Sequence, residues 1–285
     1  MKVFLTGGSG YIGKATIAAL IRQGHEVEAL ARSEAAAGAV AALGAAPVIG
    51  GLADLDVLRT AAGRAGAVVH LAQADSGEAD LAAASAMQDG VGAGTYVHTG
   101  GTWVYGDTDG VVDESAPWNP PPLVAWRRPV EDRVLERAAH GGRPVMIRPG
   151  LLYGGENRLI DIFFTAPGKR AGVIPYIGDG GAHWALVHVE DLAELYVAAL
   201  GAEPGAVYVG VGGVNPIARD VATAISRAAG IEGKTTSISL EEARDRMGPI
   251  AEAFVLDQRF TPARALAELG WTPRHTDPLA ELARA

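Results

Sequence analysis

The chain has 285 residues, of which 48% are hydrophobic and 20% charged, a composition typical of a globular protein rather than a disordered one. Asp and Glu (33) outnumber Lys and Arg (24), so the formal net charge is −9, which argues against nucleic acid as the main partner. The chain has no cysteine, which excludes disulfides, thiolate metal sites, iron–sulfur clusters and cysteine nucleophiles.

Short apolar runs alternate with helical patterns through the first 150 residues. The runs predict six strands, at residues 2–6, 25–31, 46–50, 67–72, 95–100 and 144–150. Apolar spacing and glycine stops predict helices between them, at residues 11–23, 34–43, 54–62, 78–88 and 130–140. Strands joined by helices run parallel with right-handed crossovers, so the sequence predicts an α/β fold with a doubly wound parallel sheet.

The second half of the chain is less regular. Glycine and proline are dense at residues 165–182, and a helix is predicted from Glu190. A further strand is predicted at 206–211, and helices at about 217–229, 240–247 and 262–269.

A glycine turn, TGGSGYIG, lies between the first strand and the first helix. Gly7 permits a tight turn, Gly10 leaves room for a pyrophosphate at the backbone, and Gly13 lets the helix pack on the sheet. The helix N-terminus then offers free N–H groups and a positive dipole end to phosphates. This context predicts a dinucleotide site.

The sequence resembles the extended short-chain dehydrogenase/reductase family, which includes NAD-dependent epimerases and dehydratases. The segments that carry the resemblance are TGGSGYIG at 6–13, HLA at 70–72, TGGTWVYG at 99–106, IRPGLLYGG at 147–155, HVEDLA at 188–193 and LGWTP at 269–273. The resemblance implies a Rossmann-type dinucleotide-binding domain, at 1–152 plus about 186–212. It also implies a small C-terminal substrate lobe, at about 153–185 plus 213–285.

The end of the second strand bears on the choice of cofactor. An NAD site usually has an acidic residue there that binds the ribose 2′-hydroxyl, but here Ala31 stands in that place. Arg32 follows, and its planar guanidinium suits a 2′-phosphate, so NADP (NADPH) is predicted over NAD. The alternative is a surface arginine and an unselective site. The family pattern implies cofactor contacts at Gly7, Gly10, Tyr11, Ile12, Gly13, Arg32, Ser33, Leu52, Leu71, Ala72, Gln73, Thr99, Arg127, Pro149 and Leu151.

The family's catalytic residues are not preserved. Relatives use a Ser or Thr after the fifth strand and a Tyr-x-x-x-Lys on the next helix. Here Gly101 stands at the serine position, Leu123 at the tyrosine position and Arg127 at the lysine position. The candidates that remain are Thr102, which can orient a carbonyl, Arg127, and Tyr105, for which packing is the alternative.

Pro129 constrains the helix that carries Arg127. A proline fits only the first turn of a helix, so this helix is predicted to start near Arg127 or to kink there. From that position Arg127 can reach the nicotinamide ribose, or it can pair with Glu131 four residues on.

Histidine and carboxylate positions show no spacing typical of a metal site. His183 and His188 lie five residues apart on a predicted strand, so their side chains face opposite sides. His70 and His98 lie in predicted strands, where a buried structural role is expected. No metal is therefore predicted.

The predicted substrate residues are aromatic. In the nucleotide-sugar branch of the family an arginine near the seventh strand holds a diphosphate, and here Trp184 occupies that place. Trp103, Trp126 and Tyr153 are expected to line the same cleft, with core packing as the alternative. These residues favour a small, apolar or aromatic ligand.

The sequence predicts an NADP(H)-dependent oxidoreductase acting on a small, largely apolar carbonyl, alcohol or enone. The alternatives are a dinucleotide-binding regulator or sensor without redox turnover, and an isomerase or cyclase that reuses the fold. The chain lacks an apolar run of the ~20 residues that a membrane span needs, and a strand and glycine turn stand where a leader would be, so a cytoplasmic location is expected. Homodimerisation stays open.

Overall fold

A computed structural model describes residues 1–155 and 158–284, with the side chain of Arg158 outside the description. The strands are β1 (Lys2–Thr6), β2 (Glu26–Ala31), β3 (Ala46–Ile49), β4 (Ala67–His70), β5 (Thr95–Thr99), β6 (Val111–Val112), β7 (Arg143–Pro149), β8 (Leu151–Tyr153), β9 (Ile174–Ile177), β10 (Leu186–His188), β11 (Val207–Gly210), β12 (Thr235–Ile238) and β13 (Arg259–Phe260).

Seven of these strands form one parallel sheet, in the order β11-β7-β5-β4-β1-β2-β3. The chain builds outward from β1 to β3 and then returns to build the other half from β4. The strand order therefore reverses between β1 and β4, and in open α/β sheets ligands bind beyond the carboxyl ends of the strands at that point. The doubly wound parallel sheet predicted from the sequence is confirmed.

Helices cover both faces of the sheet. The α-helices are α1 (Tyr11–Arg22), α2 (Glu34–Ala42), α3 (Leu55–Gly63), α4 (Gly77–Val91), α5 (Arg127–Glu136), α6 (Arg158–Ile160), α7 (Ala166–Ala171), α8 (Val189–Ala198), α9 (Ala218–Ala228), α10 (Leu240–Met247), α11 (Ala251–Phe254), α12 (Ala263–Leu269) and α13 (Pro278–Leu282). Apolar residues of α1 and α8 pack on one face, and those of α3, α4 and α5 pack on the other. Among the described residues, no helix combines the length and apolarity that a membrane crossing requires.

The helix after β5 begins where Pro129 requires. Helix α5 starts at Arg127, so Pro129 is its third residue and lies in the first turn, where no intrahelical N–H bond is lost. The sequence missed the short strand pairs β6 with β13, β8 with β10, and β9 with β12. The strands of the pairs β6 with β13 and β8 with β10 have only two or three residues, too few to form a pattern.

A second apolar cluster lies outside the large sheet. Its buried members come from residues 151–186 and 218–282, and include Phe164, Trp184, Ile225 and Phe254. The predicted domain boundaries stay a prediction.

Candidate active site

The glycine turn between β1 and α1 has the geometry of a phosphate cradle. A Cβ on Gly13 would lie 2.1 Å from the carbonyl oxygen of Gly7, and one on Gly7, whose φ is +76°, would lie 2.8 Å from the amide nitrogen of Ala72. Unlike α2 and α4, which Ser33 and Ser76 cap, α1 has no side-chain cap and no acidic residue in its first turn. The first amides of α1 and its positive dipole end thus suit an anion.

Three cavities adjoin this turn, and Leu71 lines all of them. The middle cavity, of about 250 Å³, lies over Gly7, Gly10 and Gly13. Tyr11 and Ile12 also line it, and the Tyr11 hydroxyl donates to the carbonyl oxygen of Gly154. An elongated ligand can therefore lie across the turn with one end in each outer cavity.

The first outer cavity, of about 760 Å³, lies over the ends of β2 and β3. Arg32 lines it together with Leu52, Ala72 and Gln73. Arg32 is exposed, and no carboxylate among the described residues pairs with it, so its guanidinium is available to an anionic ligand. Ser9 and Asp75 also line this cavity, and the sequence analysis did not single them out.

Ser33 and Asp54 serve the backbone near this cavity. Ser33 caps α2, and its hydroxyl accepts a hydrogen bond from the amide of Ala36 at 3.2 Å. Ser33 is exposed and its hydroxyl still has a proton to donate, so the cofactor contact predicted for it stays a prediction, although Ser33 is the one predicted cofactor residue outside the cavity linings. Asp54 occupies the cap position of α3, but its carboxylate accepts from the amide of Gly51 at 2.7 Å.

The second outer cavity, of about 420 Å³, is a cleft beyond the ends of β4, β5 and β7. Its wall is mostly apolar and contains both Trp103 and Trp126. Thr99, Pro149 and Leu151, which were predicted at the nicotinamide end of the cofactor, line it as well. Leu123, Leu152, Leu159 and Ile250 complete the apolar wall and were missed, since nothing in their local sequence marks them.

Among the described residues, Arg127 and Asp80 are the charged ones that line this cleft. One guanidinium nitrogen of Arg127 donates to the carbonyl oxygen of Thr99 at 3.3 Å, and the guanidinium lies 4.8 Å from the ring centre of Trp126. Burial lowers the pKa of Arg127, while the Glu131 and Asp80 carboxylates act in the opposite direction. Arginine nevertheless stays protonated in proteins, so Arg127 brings a fixed positive charge to the cleft.

Thr102 lies in the cleft wall, but another side chain engages its hydroxyl. Thr102 donates to the side-chain oxygen of Gln258 at 3.2 Å. The Gln258 amide in turn donates to the carbonyl oxygens of Thr102 and Gly106, each at 2.8 Å. Gln258 thus fixes the loop after β5, a role that the sequence does not reveal because the two segments are far apart in the chain.

Tyr105 lies in a buried polar group behind the cleft. Its hydroxyl donates to the carbonyl oxygen of Glu114 at 3.1 Å and accepts from Arg148. Arg148 also binds the carboxylate of Glu131 at 2.8 Å, and Glu131 is fully buried. This placement corrects the prediction of Tyr105 as a catalytic residue, and it shows that Glu131 pairs with Arg148.

Tyr153 and Trp184 are also buried away from the cleft. The Tyr153 hydroxyl donates to the carbonyl oxygen of His275 at 3.0 Å, and burial raises the pKa of Tyr153. The Trp184 indole donates to the carbonyl oxygen of Phe254 at 3.0 Å, and its ring packs against Phe164. Both residues are 7% exposed or less, which argues against the substrate contacts predicted for them.

A buried polar cluster, defined here as Thr6, His70, Asp80, Tyr96 and His98, lies beneath the cleft. Thr6, His70 and His98 occupy one register row across β1, β4 and β5. Tyr96, two residues before His98, shares its sheet face, and α4 brings Asp80 onto that face. The sequence shows no such spacing, because the fold assembles the cluster from separate elements.

Two hydroxyls hold the imidazoles of this cluster. Thr6 Oγ1 lies 2.6 Å from His70 Nδ1, and the Tyr96 hydroxyl lies 3.0 Å from His98 Nδ1. The Nε2 atoms of both histidines lie 3.6 Å from the Asp80 carboxylate. Burial and the charge of His70 lower the pKa of His98 to about 3, so its ring is neutral at neutral pH.

Comparison with known proteins identifies relatives over most of the chain. The model of the NAD dependent epimerase/dehydratase family matches residues 3–210. An uncharacterised protein of Schizosaccharomyces pombe is 30% identical, and the alignment covers 99% of this chain and 98% of that one. A 4-hydroxy-2-methyl-3-oxo-4-farnesyl-3,4-dihydroquinoline-1-oxide ketoreductase of Stigmatella aurantiaca is 31% identical over 94% of this chain and 85% of its own.

The fold has close counterparts among solved structures. The UDP-glucose 4-epimerase of Thermus thermophilus, in complex with NAD, superimposes with a TM-score of 0.79. The match covers 99% of this chain and 98% of that one, at 22% sequence identity. At that identity the likeness extends to the fold alone.

Proposed function

The chain belongs to the NAD dependent epimerase/dehydratase family, and from that membership we propose that it is an NADP(H)-dependent oxidoreductase. Its substrate is a small, largely apolar carbonyl compound, alcohol or enone. Its place of action is the cytoplasm.

The observation that carries this proposal is the continuity of the three cavities. Leu71 lines all of them, so a dinucleotide can lie with its 2′-phosphate at Arg32, its pyrophosphate over the glycine turn, and its nicotinamide in the cleft. The glycines fit such a group, because the turn has backbone where any side chain would collide.

The cleft supports the substrate class. Trp103 and Trp126 offer large flat apolar surfaces, and Arg127, whose guanidinium lies over the Trp126 ring, is the cation among the described lining residues. A ligand with an apolar body and a single polar group fits this lining better than a sugar, which would leave its hydroxyls without partners. The Stigmatella relative is named as a ketoreductase of a farnesylated dihydroquinoline oxide, a compound with a large apolar body that carries hydroxy, oxo and N-oxide groups.

Each residue of the cleft has a separate role in the proposed reaction. NADPH, when held by the glycine turn and Arg32, would supply a hydride to the substrate. Arg127 stabilises the negative charge that develops on the substrate oxygen, in a cleft lined by Trp103 and Trp126. Gln258 holds Thr102 and so fixes the loop after β5 against which the substrate lies. Water supplies the proton, since Arg127 does not release its own.

Reduction of a conjugated alkene suits these residues best among the redox reactions. The hydride then adds to carbon, and a cation need only stabilise the enolate that forms. Ketone reduction needs an acid at the oxygen, and Leu123 stands where the family has its tyrosine.

The same loss of the Tyr and Lys positions favours a second candidate, a dinucleotide-binding protein without redox turnover. One experiment separates the two. NADPH binding is measured by calorimetry, and carbonyl compounds and enones with apolar bodies are then screened for consumption of reduced nicotinamide. Binding with turnover supports the oxidoreductase. Binding without turnover of any compound supports the second candidate, and the lack of binding contradicts both.

Replacing Arg32 by alanine is expected to reduce the preference for NADPH over NADH by at least about tenfold. A hydrogen bond to a charged group contributes ~1.5–3 kcal/mol, and ~1.4 kcal/mol corresponds to a factor of ten. The measurement is the ratio of the two dissociation constants. Arg59→Ala is the matched control, because Arg59 is an exposed arginine paired with Asp56 outside the cavities. An unchanged ratio of the NADPH and NADH dissociation constants in Arg32→Ala would show that Arg32 does not bind the 2′-phosphate.

A further inference from the structure

In the buried polar cluster, both imidazoles point a ring nitrogen at the same carboxylate without forming a hydrogen bond to it. Each Nδ1 is held by a hydroxyl, so the Nε2 atoms of His70 and His98 both face the Asp80 carboxylate. The separation of 3.6 Å in both cases exceeds that of a hydrogen bond. His70 Nε2 is buried and has no hydrogen-bond partner among the described residues. A buried polar atom without a partner is rare and calls for a ligand or a water.

We propose that His70, Asp80 and His98 bind a divalent transition-metal ion, with Zn²⁺ as the best match. Their three ligand atoms all lie within 4.8 Å of one another. Zinc bonds of ~2.0–2.1 Å in a tetrahedral site place ligand atoms about 3.3 Å apart, so zinc binding draws these atoms together by up to about 1.5 Å.

The surroundings have the form of a metal site. Histidine ligands bind through one ring nitrogen while the other bonds to an orienting group, which is the role that Thr6 and Tyr96 fill. Two neutral imidazoles and one carboxylate are a ligand set that suits zinc and leaves one position open. Asp80 lines the cleft, so an ion enters from there and its open position faces that side.

One positive charge opposes the ion. The Arg127 guanidinium interacts electrostatically with both Asp80 and His98. Its repulsion weakens metal binding, and Arg127→Leu is expected to tighten it.

A second group, His188, Glu190 and His275, has ligand atoms equally close together but differs in the arrangement of its rings. The rings of His188 and His275 stack at 3.5 Å with an interplanar angle of 18°, so their nitrogens lie side by side and do not converge. His188 Nδ1 also accepts from the amide of Glu190. This group therefore serves as the internal control.

The test uses the full chain treated with a chelator and then titrated with Zn²⁺ by calorimetry. One ion per chain is expected, and Co²⁺ is expected to give the visible absorption of a four-coordinate site. His98→Gln and Asp80→Asn should each weaken zinc binding by at least about 100-fold, whereas His275→Gln should leave it unchanged. Melting temperature and the circular-dichroism spectrum report whether each variant folds.

Tyr96→Phe provides a graded variant that keeps the ligands. Loss of the hydroxyl that orients His98 is expected to weaken zinc binding by about 10- to 100-fold. The proposal is wrong if the wild type binds no zinc, if His98→Gln and Asp80→Asn still bind it fully, or if His275→Gln abolishes the binding.

Discussion

Replacing Gly13 by valine is expected to abolish dinucleotide binding, with a fall in affinity of at least about 100-fold. The new side chain begins 2.1 Å from the carbonyl oxygen of Gly7 and 2.7 Å from the Cα atom of Gly8, so the backbone of the turn must move. A moved turn no longer presents the first amides of α1 to the phosphates. Losing two hydrogen bonds to a charged group, at ~1.5 kcal/mol each, gives that factor. Calorimetric titration with NADPH measures it.

The matched control is Gly38→Ala in α2. A Cβ at Gly38 meets no atom within 4 Å, and alanine favours a helix by up to ~1 kcal/mol, so binding should persist and stability should rise slightly. Should Gly13→Val fail to fold, Gly10→Ala is the milder variant, because its Cβ lies 3.1 Å from the same oxygen. Undiminished NADPH affinity in a folded Gly13→Val protein would exclude the glycine turn as the phosphate site.

Replacing Arg148 by methionine is expected to destabilise the protein by about 3–5 kcal/mol, as loss of one partner of a buried ion pair does. Arg148 and Glu131 are both at most 5% exposed, and their side chains bond at 2.8 Å. Without this guanidinium, the Glu131 carboxylate stays buried without its hydrogen-bonded partner, and only the charge of Arg127 still acts on it. Burial already raises the pKa of Glu131 and Arg148 lowers it, so the pKa of Glu131 should rise further in the variant. Urea unfolding measures the change.

Two further variants make this prediction specific. Arg128→Met removes an exposed pair with Asp132 in the same helix and should change stability by at most about 1 kcal/mol. The double variant Arg148→Met with Glu131→Leu removes both buried charges and should recover part of the lost stability. Equal losses of stability in Arg148→Met and Arg128→Met would contradict the role of the buried Arg148–Glu131 pair in stability.

Most of the residues predicted to contact the cofactor line the three cavities, whereas fewer of those predicted to contact the substrate do so. The glycine turn and Arg32 could be found because a predicted phosphate site depends on local backbone and on strand ends, which leave a mark in the sequence. Trp184 and Tyr153 were predicted in the cleft and are buried outside its lining, because an aromatic residue looks the same in a core as in a cleft. Gln258 and Asp80 carry no local signal, since each acts on segments that are distant in the chain.

Gln258 also has a consequence for how the molecule is made. From a position late in the chain, it holds the loop after β5 through three hydrogen bonds with Thr102 and Gly106. During translation, the glycine turn and Arg32 leave the ribosome long before Gln258 does. The nascent chain can thus form the cavity over the glycine turn early. The cleft is completed only when nearly all of the polypeptide has emerged.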